Sequence, residues 1–163
     1  MRRALEAHLA SRDVARIIYG AIVGLALVVA LQDHPPGAGK AAGLVLATAL
    51  AVGLAELYSE YVSLEARTRA PVARPQFRGI LAESGAVSFG AAFPAIFFVL
   101  AAVGIMSTSA AFNWAKWSGL ALICGYGYLA GRMTGSSVGS ALAHSAGLGA
   151  IAAALIAVKG LLH

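Results

Sequence analysis

Five apolar stretches constrain this chain more than any other feature. They run 17–31, 41–61, 80–106, 112–131 and 138–162, with Val14 and Ala15 leading into the first. A helix needs roughly 20 mostly apolar residues to cross a bilayer. Four of the stretches reach that length outright, and the first reaches it once its leading residues are included. The breaks between them carry turn chemistry. Asp33-His34-Pro35-Pro36-Gly37 follows the first, because proline cannot continue a helix. Pro71 and Pro75 separate the second from the third, and Ser107-Thr108-Ser109 and Thr134-Gly135-Ser136-Ser137 are short polar turns. The expected fold is all-α: a polytopic bundle of five transmembrane helices at about 14–33, 41–61, 80–106, 112–131 and 138–162. A segment of residues 1–12 precedes a membrane domain of residues 13–163. Leu5 and Leu9 share one face of that segment, which is either a surface helix or disordered.

Composition agrees. Hydrophobic residues make up 60% of the chain and charged residues 12%, against about half and a quarter in soluble domains. A formal charge of +5 could suggest nucleic acid. Its distribution argues against that partner, because the basic residues sit between apolar stretches and read as topology signals. Nine of the 12 fall on one side of the five-helix arrangement: Arg2, Arg3, Arg12, Arg16, Arg67, Arg69, Arg74, Arg78 and Arg132. Lys40, Lys116 and Lys159 fall on the other. The bias puts the N-terminus inside and the C-terminus outside, and an odd helix count requires ends on opposite sides. The single cysteine, Cys124, excludes a disulfide within the chain. The first 16 residues lack the uninterrupted apolar core of a signal peptide, so the first helix is expected to direct insertion. Short loops and no targeting segment point to the plasma membrane of a prokaryote.

Small residues recur at helix-packing spacing: Gly20 and Gly24; Gly127, Gly131 and Gly135; and Gly139, Ala143 and Gly147. Such faces let helix backbones approach closely, although a chain with 19 glycines also produces the spacing by chance. The sequence contains no nucleotide loop, no zinc-like Cys/His spacing and no nucleophile paired with a base, so no enzyme is expected.

Ionisable residues at membrane depth remain. Glu56 and Glu60 are four apart and share a helix face. A charge at bilayer depth costs about 3 kcal/mol on insertion scales, so acids there point to a cation or proton site. Glu60 can instead lie solvated at the interface, paired with arginine. Glu83 opens the third helix and enters from the same side. Three carboxylates together would suit a hard or borderline divalent cation, while an acid in a first helical turn also complements the helix dipole. His144 in the fifth helix is either a proton relay or a donor to a neighbouring carbonyl. Pro94 is expected to kink the third helix.

Several segments resemble the vacuolar iron transporter family. Glu60-Tyr61-Val62-Ser63 is similar to the family's Glu-Tyr-Val-Ser. Tyr19-Gly20-Ala21-Ile22-Val23-Gly24-Leu25 has the spacing of its Phe-Gly-x-Asn-Asp-Gly-Leu, and Ser88-Phe89-Gly90-Ala91-Ala92-Phe93-Pro94 looks like its Gly-Ala-x-x-Pro segment. The run from Gly131 through Leu162 has the pattern of its last loop and helix. The resemblance implies a homodimer that exchanges Fe²⁺ or Mn²⁺ for protons through carboxylates. The departures are specific. Ile22-Val23 replaces Asn-Asp, Glu56 replaces a methionine, and the connection from Val62 to Gly79 is short and basic where many relatives carry a Glu-rich domain. Exchanging thioether for carboxylate shifts preference from Fe²⁺ toward Mn²⁺, Mg²⁺ or Ca²⁺.

The expected function is therefore transport of a divalent cation, proton-coupled, with Glu56 and Glu60 as ligands and Glu83 assisting. The alternatives are a non-transporting membrane partner that kept the fold and lost the site, and a cation channel.

Overall fold

The computed structural model describes the backbone of residues 2–133, 135 and 137–161. It describes the side chains of residues 13–133, 135, 137–143, 145–147, 149, 150, 153, 154 and 157. Six helices account for nearly all of it: α1 (Arg2–Leu31), α2 (Ala38–Thr68), α3 (Arg74–Ala92), α4 (Ala95–Ala102), α5 (Thr108–Met133) and α6 (Val138–Leu161). No strand occurs among the described residues.

Each boundary has a local cause. α2 continues seven residues beyond the apolar stretch that ends at Tyr61, as the lack of a breaker before Pro71 leads one to expect, and stops at Thr68. There Arg69 adopts a left-handed conformation (φ 50°) and its N–H donates to the Glu65 carbonyl, two residues before Pro71. At about 1.5 Å per residue its 31 residues span about 46 Å. α3 begins at Arg74, six residues before the expected start, because Pro75 fits a first helical turn and the Gln76 side chain accepts the Ala73 N–H at 2.9 Å. The expected 80–106 helix is two helices, α3 and α4, bent by 51° at Phe93-Pro94. Pro94 is the cause, since it has no N–H and its ring clashes with the preceding turn. α4 ends in a Schellman turn. Ile105 N–H reaches the Leu100 carbonyl (2.9 Å) and Gly104 N–H the Ala101 carbonyl (3.1 Å). Gly104 sits at φ +82°, a conformation that favours glycine. Ser107 caps α5, accepting the Ala110 N–H at 3.1 Å, and Ser137 caps α6, accepting that of Ser140 at 3.3 Å. Residues 2–12 are helical backbone continuous with the rest of α1.

α1 packs against α3 and α5, α2 against α3 and α4, and α6 against α5. Gly20 of α1 lies on Val87 of α3, and Gly24 on Ala91, so these two helices run in the same direction. α5 runs the opposite way, with Gly119 beside Leu25 and Phe112 in the cluster around Val28. Ala41 and Val45 at the start of α2 join that same cluster, so α2 also opposes α1. Two apolar clusters fill the interior. One gathers Val28, Val45, Phe98 and Phe112, with the two phenylalanine rings edge to face at 4.7 Å. The other gathers Val14, Ile18, Leu25 and Ile123 between α1 and α5. Large apolar side chains also cover the outside, among them Leu46, Leu50, Leu54, Val99 and Leu142. A surface of this kind suits lipid rather than water.

Among the described residues, Asp13–Leu31 and α2 are each long and apolar enough to cross a membrane, and the bent α3–α4 pair is a third such element if it forms one span.

Candidate functional site

The α1–α3 contact sets the geometry of the site. A Cβ on Gly20 would collide with the Val87 backbone, one on Gly24 with Ala91, and one on Gly90 with Ile17. The two backbones therefore meet without intervening side chains. One turn before Gly20 lies Arg16, and one turn before Val87 lies Glu83. The same register that seats Gly20 on Val87 brings Arg16 to Glu83, and the two form an ion pair. From the opposing helix, Gly53 faces Ser84 and Ser88 of α3. Glu56 and Glu60 follow at three and seven residues, on the same face of α2.

All three carboxylates converge on one guanidinium. Arg16 Nη1 donates to Glu56 Oε1, and Arg16 Nη2 donates to Glu60 Oε1 at 3.1 Å and pairs with Glu83 Oε2. The Arg16 side chain is 12% exposed and Glu83 14%, while Glu56 and Glu60 are each about a quarter exposed. The cluster is thus buried on its α1–α3 side and open on its α2 side. Arg67, at the end of α2, lies 3.8 Å from Glu60 and is itself exposed. A polar cavity of about 170 Å³ adjoins the cluster, lined by Glu60, Leu64, Arg67, Gln76, Ile80 and Glu83 among others.

An arginine is well matched to this position. Its planar fork carries five N–H donors and stays charged under all ordinary conditions. It can hold oxygens from two helices at once, tying α1, α2 and α3 together at one end of the bundle. The guanidinium's positive charge offsets the repulsion of three carboxylates brought this close together. Among the described residues no group of three or more His, Cys, Asp or Glu is placed to hold a metal ion. In this arrangement the oxygens surround a guanidinium, which is far larger than a metal ion.

The structure thus brings Glu56, Glu60 and Glu83 to one place. The side chain of His144 lies outside the described residues. Of the glycines in the packing pattern, Gly20 and Gly24 face α3, Gly127 is buried in α5, and Gly131 meets Ala141 of α6. A Cβ on Gly139 or Gly147 would meet nothing within 4 Å. Arg16 is the residue that sequence reasoning assigned to topology alone. A signal for it exists: Arg16, Gly20 and Gly24 are spaced by four, so the charge lies on the very face that the glycines mark for helix contact. No protein-family model, no curated protein and no solved structure matches this chain.

Proposed function

We propose that this is a multi-pass membrane protein that moves a small divalent cation, coupled to protons, through the carboxylates of Glu56, Glu60 and Glu83. The observation that supports the reading is the convergence of three acids from two helices on a single positive charge, beside a polar cavity. Oxygens collected around a cationic centre suit hard ions such as Mn²⁺ or Mg²⁺ once Arg16 withdraws. Protonation of a carboxylate makes it a poor ligand and releases the ion. In this reading five spans cross the membrane, α3 and α4 forming one broken span. The end bearing Arg16, Arg67 and Arg132 faces the cytoplasm of a prokaryotic cell, the protein acts as a homodimer, and it catalyses no covalent chemistry. The resemblance to the vacuolar iron transporters supports the same class.

The test is Mn²⁺ uptake into proteoliposomes under an imposed pH gradient. Wild-type protein should carry the ion, and Glu56→Gln should cut the rate at least about tenfold, the loss of one charged ligand being worth 1.4 kcal/mol or more. Unchanged uptake by that variant removes the assignment.

One observation favours a second reading. Arg16 already occupies the carboxylates, so the cluster can serve as a structural lock in a membrane partner that transports nothing. That reading expects no divalent cation to raise the thermal stability of the purified protein, whereas a bound ion stabilises by mass action.

A further inference from the structure

The connection between α2 and α3 carries four arginines, Arg67, Arg69, Arg74 and Arg78, all exposed. No acidic residue occurs between Glu65 and Glu83. Arg67 approaches Glu60 at 3.8 Å, but among the described residues no carboxylate pairs with Arg69, Arg74 or Arg78. Local structure spreads these three apart and fixes where they start. Arg69 caps α2 in a left-handed conformation, while Arg74 and Arg78 are one turn apart at the start of α3. Between them stands Phe77, itself exposed, with the Tyr61 ring edge-on at 6.5 Å. Arginines flanking an exposed aromatic residue in sequence, at the end of an apolar helix, have the chemistry of a membrane–water interface.

The length of α2 gives the depth. Its roughly 46 Å slightly exceeds the full thickness of a bilayer with its headgroups, about 40–45 Å, and far exceeds the hydrocarbon core of about 30 Å. An upright helix of this length places its last turn in the headgroup layer, where lipid phosphates lie. Arginine binds phosphate oxygens with two parallel N–H donors, and juxtamembrane basic clusters attract anionic lipid.

We propose that Arg69, Arg74 and Arg78 form a binding site for the headgroups of anionic phospholipid, with Phe77 seated among the glycerol and upper acyl atoms. The site depends on α2 and α3 lying in a membrane and is independent of any transport activity. Its chemistry is that of a phosphodiester attached to a lipid, so free phosphate should not substitute for it.

The experiment is thermal unfolding of the full-length protein in uncharged detergent. It is titrated with phosphatidylglycerol, with phosphatidylcholine or with inorganic phosphate, and bound lipids are counted by native mass spectrometry. Phosphatidylglycerol should raise Tm by about 3 °C or more and stay bound to the intact protein. Phosphatidylcholine and inorganic phosphate should do neither. The exposed triple variant Arg69→Gln, Arg74→Gln, Arg78→Gln should lose most of the shift and of the bound phosphatidylglycerol, and the matching triple Lys variant should keep most of both. Equal effects of the two lipids, an equal effect of inorganic phosphate, or full retention by the Gln variant each overturns the site. If the Gln variant does not fold, the wild-type count of bound phosphatidylglycerol decides. Loss of that preference over phosphatidylcholine at high salt supports the site, and salt-independent binding overturns it.

Discussion

Arg16 brings a permanent charge into the end of the first apolar helix, where a charge is costly unless it is paired. Three glutamates supply the pairing, and none of the four groups is stable there alone. Removing the guanidinium leaves acids from two helices facing one another, half buried. Arg16→Leu is therefore expected to lower stability by about 1–3 kcal/mol, the lower end reflecting the partial exposure of Glu56 and Glu60. Arg16→Lys should recover only part of that loss, since one ammonium cannot reach three carboxylates as a planar fork does. Adding Glu56→Gln to Arg16→Leu should restore some stability, because it removes one of the repelling charges. Thermal unfolding of the four proteins in detergent measures this, and a wild-type Tm for Arg16→Leu would show that the cluster has no structural role.

At the scale of the element, the α1–α3 contact is the joint on which the site depends. In lipid, helices gain little from hiding apolar surface from one another, so close backbone packing carries the association. Gly20 and Gly90 allow it, since a methyl on either would strike the opposing backbone. Gly20→Ala is expected to push α1 off α3, lower Tm and weaken the Arg16–Glu83 pair. Gly85→Ala on the same α3 meets nothing within 4 Å. It should be neutral or stabilising by up to about 1 kcal/mol, from helix propensity. Comparing the two Tm values tests the packing: equal effects would mean that the contact between α1 and α3 is not the tight one. The break at Pro94 belongs to this scale as well. It turns α4 so that Phe98 reaches Phe112 of α5, and Phe98→Ala should cost about 3 kcal/mol or more through the cavity it leaves.

For the whole molecule, the helix directions gather Arg16, Arg67, Arg69, Arg74, Arg78 and Arg132 at one end and leave Lys40 toward the other. The proposed topology puts the arginine end in the cytoplasm. In a Cys124→Ser background, Arg69→Cys should be blocked only by a membrane-permeant thiol reagent in intact cells. Ser109→Cys, in the first turn of α5, should react with an impermeant one. Labelling of both from the same side would sink the five-span topology.

The sequence by itself determined that the chain is helical, where most helices break, and that acids enter apolar helices. Those properties are local. A proline at 94 bends whatever helix contains it, a serine at 107 caps the turn that follows, and a spacing of four puts Glu56 and Glu60 on one face. The length of α2 past Glu65 was legible too, because no breaker precedes Pro71. The early start of α3 was less so, since it depends on the Gln76 side chain folding back onto Ala73. What only the tertiary structure decided is the partner of the acids. Arg16 is 40 residues from Glu56, 44 from Glu60 and 67 from Glu83 in the chain. Its spacing from Gly20 and Gly24 puts the charge on the contact face, but no local pattern tells which acids it meets. The register between α1 and α3 does, because two glycines let the backbones touch and thereby place Arg16 one turn below the contact, opposite Glu83 and between the two acids of α2.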